Sequence, residues 1–155
     1  MDCFESDKLQ DITNGRSGRK KWREPSSGLD QHPGTRKRIL IVDDDVIIRW
    51  ILERGLSAIG YEATETGSGF EALDMLGAKP FDLVITDLQM PGMDGWGLAR
   101  HVKKMFPRTP VLLLTAQRKN DVMKNKNAVL IDSFISKPFR LEEVETEIER
   151  ILTGK

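Results

Sequence analysis

"DLVITDLQMPGMDG", residues 82–95, carries an acidic side chain out of an apolar run and follows it at once with a loop of Met, Pro and Gly. The run ending at Asp87 is short, β-branched and bounded by turn residues, which reads as a strand. The Pro and Gly of "LQMPGMDG" leave room above Asp87 and expose a backbone carbonyl. One carboxylate at a strand end decides little alone. Its meaning depends on what the rest of the chain brings beside it.

On either side of this segment the pattern alternates. "RILIVDDD" reads as a strand over 39–43, and "VIIRWILERGLSAIG" as a helix with Ile48, Ile51, Leu52 and Ile59 at inward spacing and Gly60 as its stop. "YEATET" is a weaker second strand. "SGFEALDMLGAKP" is a helix with Ser68 as N-cap and a Gly/Pro exit. "FDLVITD" is the third strand, and "GLARHVKKMFP" a helix with Leu98, Ala99, Val102, Met105 and Phe106 on one face. "TPVLLLTA" is a fourth strand, too apolar to be half exposed, and "SFISKPF" closes a fifth near Ser136. "RLEEVETEIERIL" is the last helix, with Leu141, Val144, Ile148 and Ile151 inward. A crossover helix is expected between strands four and five, but Asn120, Asn125 and Asn127 predict a short or frayed one. Apolar strands alternating with helices predict an α/β fold, a parallel sheet covered on both faces.

The chain of 155 residues suits one domain with a real core. Lys+Arg and Asp+Glu both number 24, yet residues 1–38 hold nine basic and six acidic side chains, so the remainder is acidic. Residues 1–37 show no sustained period and read as a disordered basic extension, with the domain over 38–155. "GRSGRKKWR", residues 15–23, gathers five basic residues around Trp22. A nucleic-acid or membrane-surface contact is one reading; a solvated tail is the preferred one, and nucleic-acid binding is not expected. One cysteine, Cys3, excludes an intrachain disulfide. There is neither an apolar signal core nor a run near the roughly 20 residues that span a bilayer, so a cytoplasmic protein is expected.

In open parallel sheets, ligands bind beyond the carboxyl ends of the strands. Strand one delivers Asp43, Asp44 and Asp45 there, strand three Asp87, strand four Thr115, and strand five Lys137 followed by Pro138. Gathered carboxylates repel, and a hard divalent cation with oxygen ligands, Mg²⁺, relieves the repulsion. Asp43, Asp44, Asp87, Lys137 and a dication sum to neutrality, and phosphorylating one Asp exchanges a charge of −1 for about −2. The group looks built to accept one phosphoryl group, with an Asp as nucleophile. Asp87, alone and central, is the candidate; the adjacent Asp43 and Asp44 suit a metal. Taken singly, each residue has a plainer reading. Asp43–Asp45 fit a helix cap equally well, Thr115 a satisfied strand-end hydroxyl, Lys137 a surface lysine, and Asp94 a turn or N-cap. His32 and His101 are too far apart in sequence to suggest a metal pair. The ordered set carries the weight.

At "ILIVDDD", "DLVITDLQMPGMDG", "VLLLTA" and "FISKPF" the chain resembles the receiver domain of two-component response regulators, from about Arg38 to Leu152. The resemblance implies a (βα)5 flavodoxin-like fold with strand order 2-1-3-4-5. It implies Asp87 as phosphoacceptor from a phosphohistidine on a sensor histidine kinase or histidine phosphotransfer protein. It implies Mg²⁺ held by Asp44, Asp87 and the backbone carbonyl of Gln89, with Asp43 acting mostly through water. Thr115 and Lys137 would bind phosphoryl oxygens, Phe134 would be the switch aromatic, and the Lys137–Pro138 bond would be cis. Phosphorylation would draw the Thr115 hydroxyl inward, let Phe134 rotate, and reshape the face made by helix four, strand five and helix five, where a downstream protein would dock. Gln89 and Gln117 fall at positions that affect phosphoryl lifetime in the family. "VLIDSF" departs from the Gly-Ala pair often found before strand five.

Only Thr153–Lys155 follow the match, so a stand-alone phosphoacceptor switch is expected rather than an enzyme, beyond slow self-dephosphorylation. A haloacid-dehalogenase-like phosphohydrolase is the enzymatic alternative, with Asp43 as nucleophile and Asp45 as second acid; the chain lacks the paired acids expected at a later strand end. A DNA-binding regulator acting through "GRKKWR" is the third reading.

Overall fold

The computed structural model describes residues 36–154. The expected basic extension lies outside them apart from Arg36 and Lys37. Eleven elements follow one another: β1 (Arg38–Val42), α1 (Val46–Ala58), β2 (Glu62–Thr66), α2 (Gly69–Ala78), β3 (Leu83–Asp87), α3 (Gly95–Met105), β4 (Val111–Thr115), α4 (Lys119–Lys124), a 3-10 helix (Lys126–Leu130), β5 (Ser133–Ser136) and α5 (Leu141–Thr153). All strand pairs are parallel, in the order β2-β1-β3-β4-β5. This is the five-stranded order implied above.

The three inner strands are built of residues with no polar side to show. β3 and β4 are buried along their whole length, and β1 from Ile39 onward. Because side chains alternate across a strand, each inner strand feeds two cores. Ile39, Ile41, Leu83, Ile85, Leu112 and Leu114 meet Leu52 and Leu56 of α1 and Val144 and Ile148 of α5. Leu40, Val42, Val84 and Val111 meet Ala72 and Leu76 of α2 and Leu98, Ala99 and Val102 of α3. A third cluster joins Leu88, Trp96, Leu113 and Val122, with Phe134 and Ile131 against it.

Three inward assignments are corrected. Ile51 and Ile59 of the first helical segment and Met105 of α3 are exposed. Leu52 and Leu56, four residues apart, carry the contact of α1, and the face is rotated from the one the sequence suggested. The crossover after β4 is short as expected: α4 has six residues and no side-chain cap, and the 3-10 helix after it buries no residue.

Candidate functional site

The sheet register sets the site. Val42 pairs with Thr86, so the next residues on β1 and β3 are Asp43 and Asp87; Asp87 pairs with Leu114 and Thr115 with Ser136. All four strand ends therefore leave the sheet at one edge, and the polar residues that follow share it.

Asp43 is 0% exposed and held at every polar atom. Its N–H donates to the Thr66 carbonyl at 3.1 Å, and its own carbonyl accepts from Arg49 Nη1 at 2.7 Å. Oδ1 accepts from the Asp45 N–H at 2.8 Å and Oδ2 from Lys137 Nζ at 3.3 Å. Asp45 itself caps α1, its Oδ1 accepting from the Ile47 N–H at 2.9 Å. Asp44 is exposed, and its carboxylate has no hydrogen-bond partner among the described residues.

Asp87 is 8% exposed. Its Oδ1 accepts from the Leu88 N–H at 2.8 Å and from Lys137 Nζ at 3.1 Å. Its Oδ2 receives no donor from the described residues. Carboxylate oxygens of Asp43, Asp44 and Asp87 lie within 4.8 Å of one another. In the loop beyond Asp87, Gly92 has φ +83°, and Asp94 caps α3 as expected, its Oδ1 accepting from the Gly97 N–H at 2.8 Å. Gly95 makes close packing possible, since a Cβ there would stand 2.5 Å from the Asp87 carbonyl oxygen. Gln89 sits exposed in the same loop.

Thr115 is 1% exposed; its Oγ1 accepts from the Gln117 N–H at 2.9 Å, and its carbonyl accepts from the Lys137 N–H at 2.8 Å. The Thr115 hydroxyl makes no bond to Asp87. Phe134 pairs with Leu113 and packs half-buried against the Leu88–Trp96–Val122 cluster. The Lys137–Pro138 bond is cis, as the resemblance implied.

The electrostatics show an uncompensated negative site. Burial is the main cause that raises the Asp43 carboxyl above its ordinary range; the Asp87 charge adds to it, against the Asp45 N–H and Lys137. Burial lowers Lys137, but its hydrogen bond to Asp87 and the charges of Asp43 and Asp87 outweigh this, and its pKa ends up raised. One ammonium cannot neutralise three carboxylates. A dication fits the deficit, and the all-oxygen donor set, with one exposed carboxylate that has no partner among the described residues, suits Mg²⁺.

A family model describing the response regulator receiver domain matches residues 39–149. The chain belongs to this family. As a receiver domain it is similar to the DNA-binding transcriptional regulator NtrC of Klebsiella pneumoniae, 37% identical over 113 residues, which are 73% of this chain and 24% of that protein. It is also 37% identical over 119 residues to the probable transcriptional regulator ycf27 of Cyanophora paradoxa, covering 76% of this chain and 48% of the relative. The chain therefore spans a quarter to a half of these relatives. Among solved structures, chemotaxis protein CheY4 of Vibrio cholerae superposes with a TM-score of 0.71 at 30% identity, over 76% of this chain and 99% of that one. Response regulator TrrA of Thermotoga maritima, in complex with Mg²⁺–BeF, gives 0.69 at 33% identity, over 75% and 99%. TrrA in complex with histidine kinase ThkA gives 0.69 at 32%, over 75% and 98%. The receiver domain is thus a two-component signalling module, and no helix among the described residues is long and apolar enough to cross a membrane.

Sequence reasoning missed the grip on Asp43. Arg49 donates to its carbonyl and pairs with Glu65 of β2. The signal was an arginine one turn into α1 and a glutamate near the end of a strand. Joining them required knowing that β2 lies beside β1.

Proposed function

We propose that Asp87 accepts a phosphoryl group from a phosphohistidine on a sensor histidine kinase or histidine phosphotransfer protein. The observation that carries this is the division of labour between its oxygens. Oδ1 is held by Leu88 and Lys137, which fixes the carboxylate, while Oδ2 has no donor among the described residues and keeps its lone pairs for phosphorus. Oδ2 forms the P–O bond as the P–N bond breaks, and the electron pair leaves with the imidazole nitrogen. Lys137, already within reach of Oδ1, shifts toward the incoming phosphoryl oxygens. The Thr115 hydroxyl accepts one N–H and still has its own proton to donate, so it can turn to a phosphoryl oxygen. Asp44 and Asp87, with Asp43 behind them and the Gln89 carbonyl, would hold Mg²⁺, which supplies positive charge for the transferring group.

Thr115 and Phe134 act as the switch, and the face of α4, β5 and α5 is the output surface for a downstream protein. The short, uncapped α4 beside Phe134 supports this direction of change. The chain is a stoichiometric acceptor rather than an enzyme with turnover, with slow self-dephosphorylation tuned at Gln89 and Gln117. A cytoplasmic setting, where kinase and acceptor meet, goes with this reading.

The test is incubation with Mg²⁺ and acetyl phosphate followed by mass mapping. The expected product is a labile adduct, one phosphoryl group heavier, on Asp87. It is absent in Asp87→Ala, weak in Asp44→Ala and lost on chelation. An adduct on Asp43, or one that forms equally in EDTA, overturns the proposal.

A further inference from the structure

Arg49 stands in the first turn of α1, where a cation faces the positive end of the helix dipole and gains nothing from it. Its contacts lie elsewhere. Nη1 donates to the Asp43 main-chain carbonyl at 2.7 Å, and Nε donates to the Glu65 carboxylate on β2. The guanidinium uses the space above Gly67, where a Cβ would stand 2.7 Å from Nη1. β2 therefore grips Asp43 from both sides, at its N–H through the Thr66 carbonyl and at its carbonyl through the Glu65–Arg49 pair.

The carbonyl that Arg49 holds belongs to the same rigid peptide plane as the nitrogen of Asp44. Asp44 is the exposed member of the acid cluster, and no side-chain bond to the described residues sets its direction. Only its backbone aims it. We infer that Arg49, oriented by Glu65, is a positioning residue that fixes the Asp43–Asp44 peptide plane and so points the Asp44 carboxylate at the cation site. This rests on the proposed Mg²⁺-dependent phosphoacceptor function and adds to it a requirement outside the carboxylate pocket. A lysine at 49 has one donor group on a flexible stem and cannot hold carbonyl and carboxylate together as a guanidinium fork does.

The experiment titrates MgCl₂ into the full chain by calorimetry and compares wild type, Arg49→Ala, Arg49→Lys and Glu65→Gln. Unfolding is followed in EDTA, and acetyl phosphate labelling is measured across Mg²⁺ concentrations. Loss of an orienting contact of this kind costs about tenfold or more in metal affinity. Arg49→Ala is expected to weaken Mg²⁺ binding by about tenfold and to raise the half-saturating Mg²⁺ for labelling by the same factor, with the rate at saturating Mg²⁺ within about twofold of wild type. Arg49→Lys recovers part of the affinity, and Glu65→Gln falls between. A residue that served only stability would lower the unfolding temperature in EDTA and leave the affinity of the folded protein alone. Wild-type affinity in folded Arg49→Ala overturns the inference while the phosphoacceptor reading stands. Should that variant not fold, unchanged affinity in both Arg49→Lys and Glu65→Gln overturns it equally. A wild-type chain that takes up no Mg²⁺ overturns both readings.

Discussion

Asp87→Asn deletes one charge from the site and no hydrogen bond. Oδ1, which accepts from the Leu88 N–H and from Lys137, is retained in the amide, and the new NH₂ replaces the oxygen that has no donor among the described residues. Three electrostatic effects change. At an effective dielectric of about 20, the attraction to Lys137 at 3.1 Å is worth about 5 kcal/mol. The repulsion from Asp43, at no more than 4.8 Å, is worth about 3.5 kcal/mol or more on the same basis. Asp44 is exposed, and screening holds its share to about 1 kcal/mol. Attraction and repulsion therefore cancel to within about 1 kcal/mol. What decides the sign is the cost of keeping an ionised carboxylate out of water, several kcal/mol before the Leu88 N–H offsets part of it. In EDTA at pH 7 the variant should be more stable than wild type by about 1–2 kcal/mol in urea unfolding, with Tm about 4–8 °C higher by circular dichroism. Saturating Mg²⁺ should raise the wild type and narrow the gap. A variant equal to or less stable than wild type in EDTA refutes the reasoning, because no lost contact is available to explain it.

Asp43 and Lys137 each give the stability a pH dependence. The folded-state pKa of Asp43 lies above 3.8, raised chiefly by burial, so the folded protein holds this proton longer than the unfolded chain. In EDTA its contribution declines as pH rises from 3.8 through the folded value and is level above it; Asp43→Asn should remove that decline in urea titrations. Lys137, with its folded pKa above 10.5, contributes stability fully present below 10.5 and lost as pH climbs through the folded value, a loss Lys137→Met should abolish. Gly95→Ala drives a Cβ to 2.5 Å from the Asp87 carbonyl oxygen and 2.9 Å from the Leu88 Cα, and should cost about 1–3 kcal/mol with slowed labelling. Gly77→Ala, in α2 with nothing within 4 Å of its Cβ, should instead stabilise by about 0.5–1 kcal/mol.

The sheet was legible because its inner strands are buried on both faces, so β3 and β4 read as unbroken apolar runs with turn signals at each end. The acid edge was legible for a related reason: Asp43, Asp87 and Thr115 stand at the ends of such runs, Lys137 follows the edge strand "SFIS", and parallel strands end together. The facing of α1 was not. Val46, Ile47, Ile48, Ile51, Leu52 and Ile59 offer more apolar positions than one stripe can bury, and only the sheet beneath selects Leu52 and Leu56. Met105 misled in the same way, as a last-turn residue whose direction depends on where the helix ends. The grip of Arg49 and Glu65 on Asp43 joins side chains sixteen residues apart across neighbouring elements, and no local period announces such a pair.

Gly95 lets α3 begin against the strand that carries Asp87. With no side chain at that position, the start of α3 lies directly on the backbone of Asp87 and Leu88, and the Gly95 N–H donates to the Leu88 carbonyl at 2.7 Å. The next residue of α3, Trp96, meets Leu88, Leu113 and, from the short, uncapped α4, Val122 in one cluster. A Cβ at position 95 would press on the backbone that carries Asp87. The setting of this carboxylate therefore depends on a residue that contributes no side chain of its own.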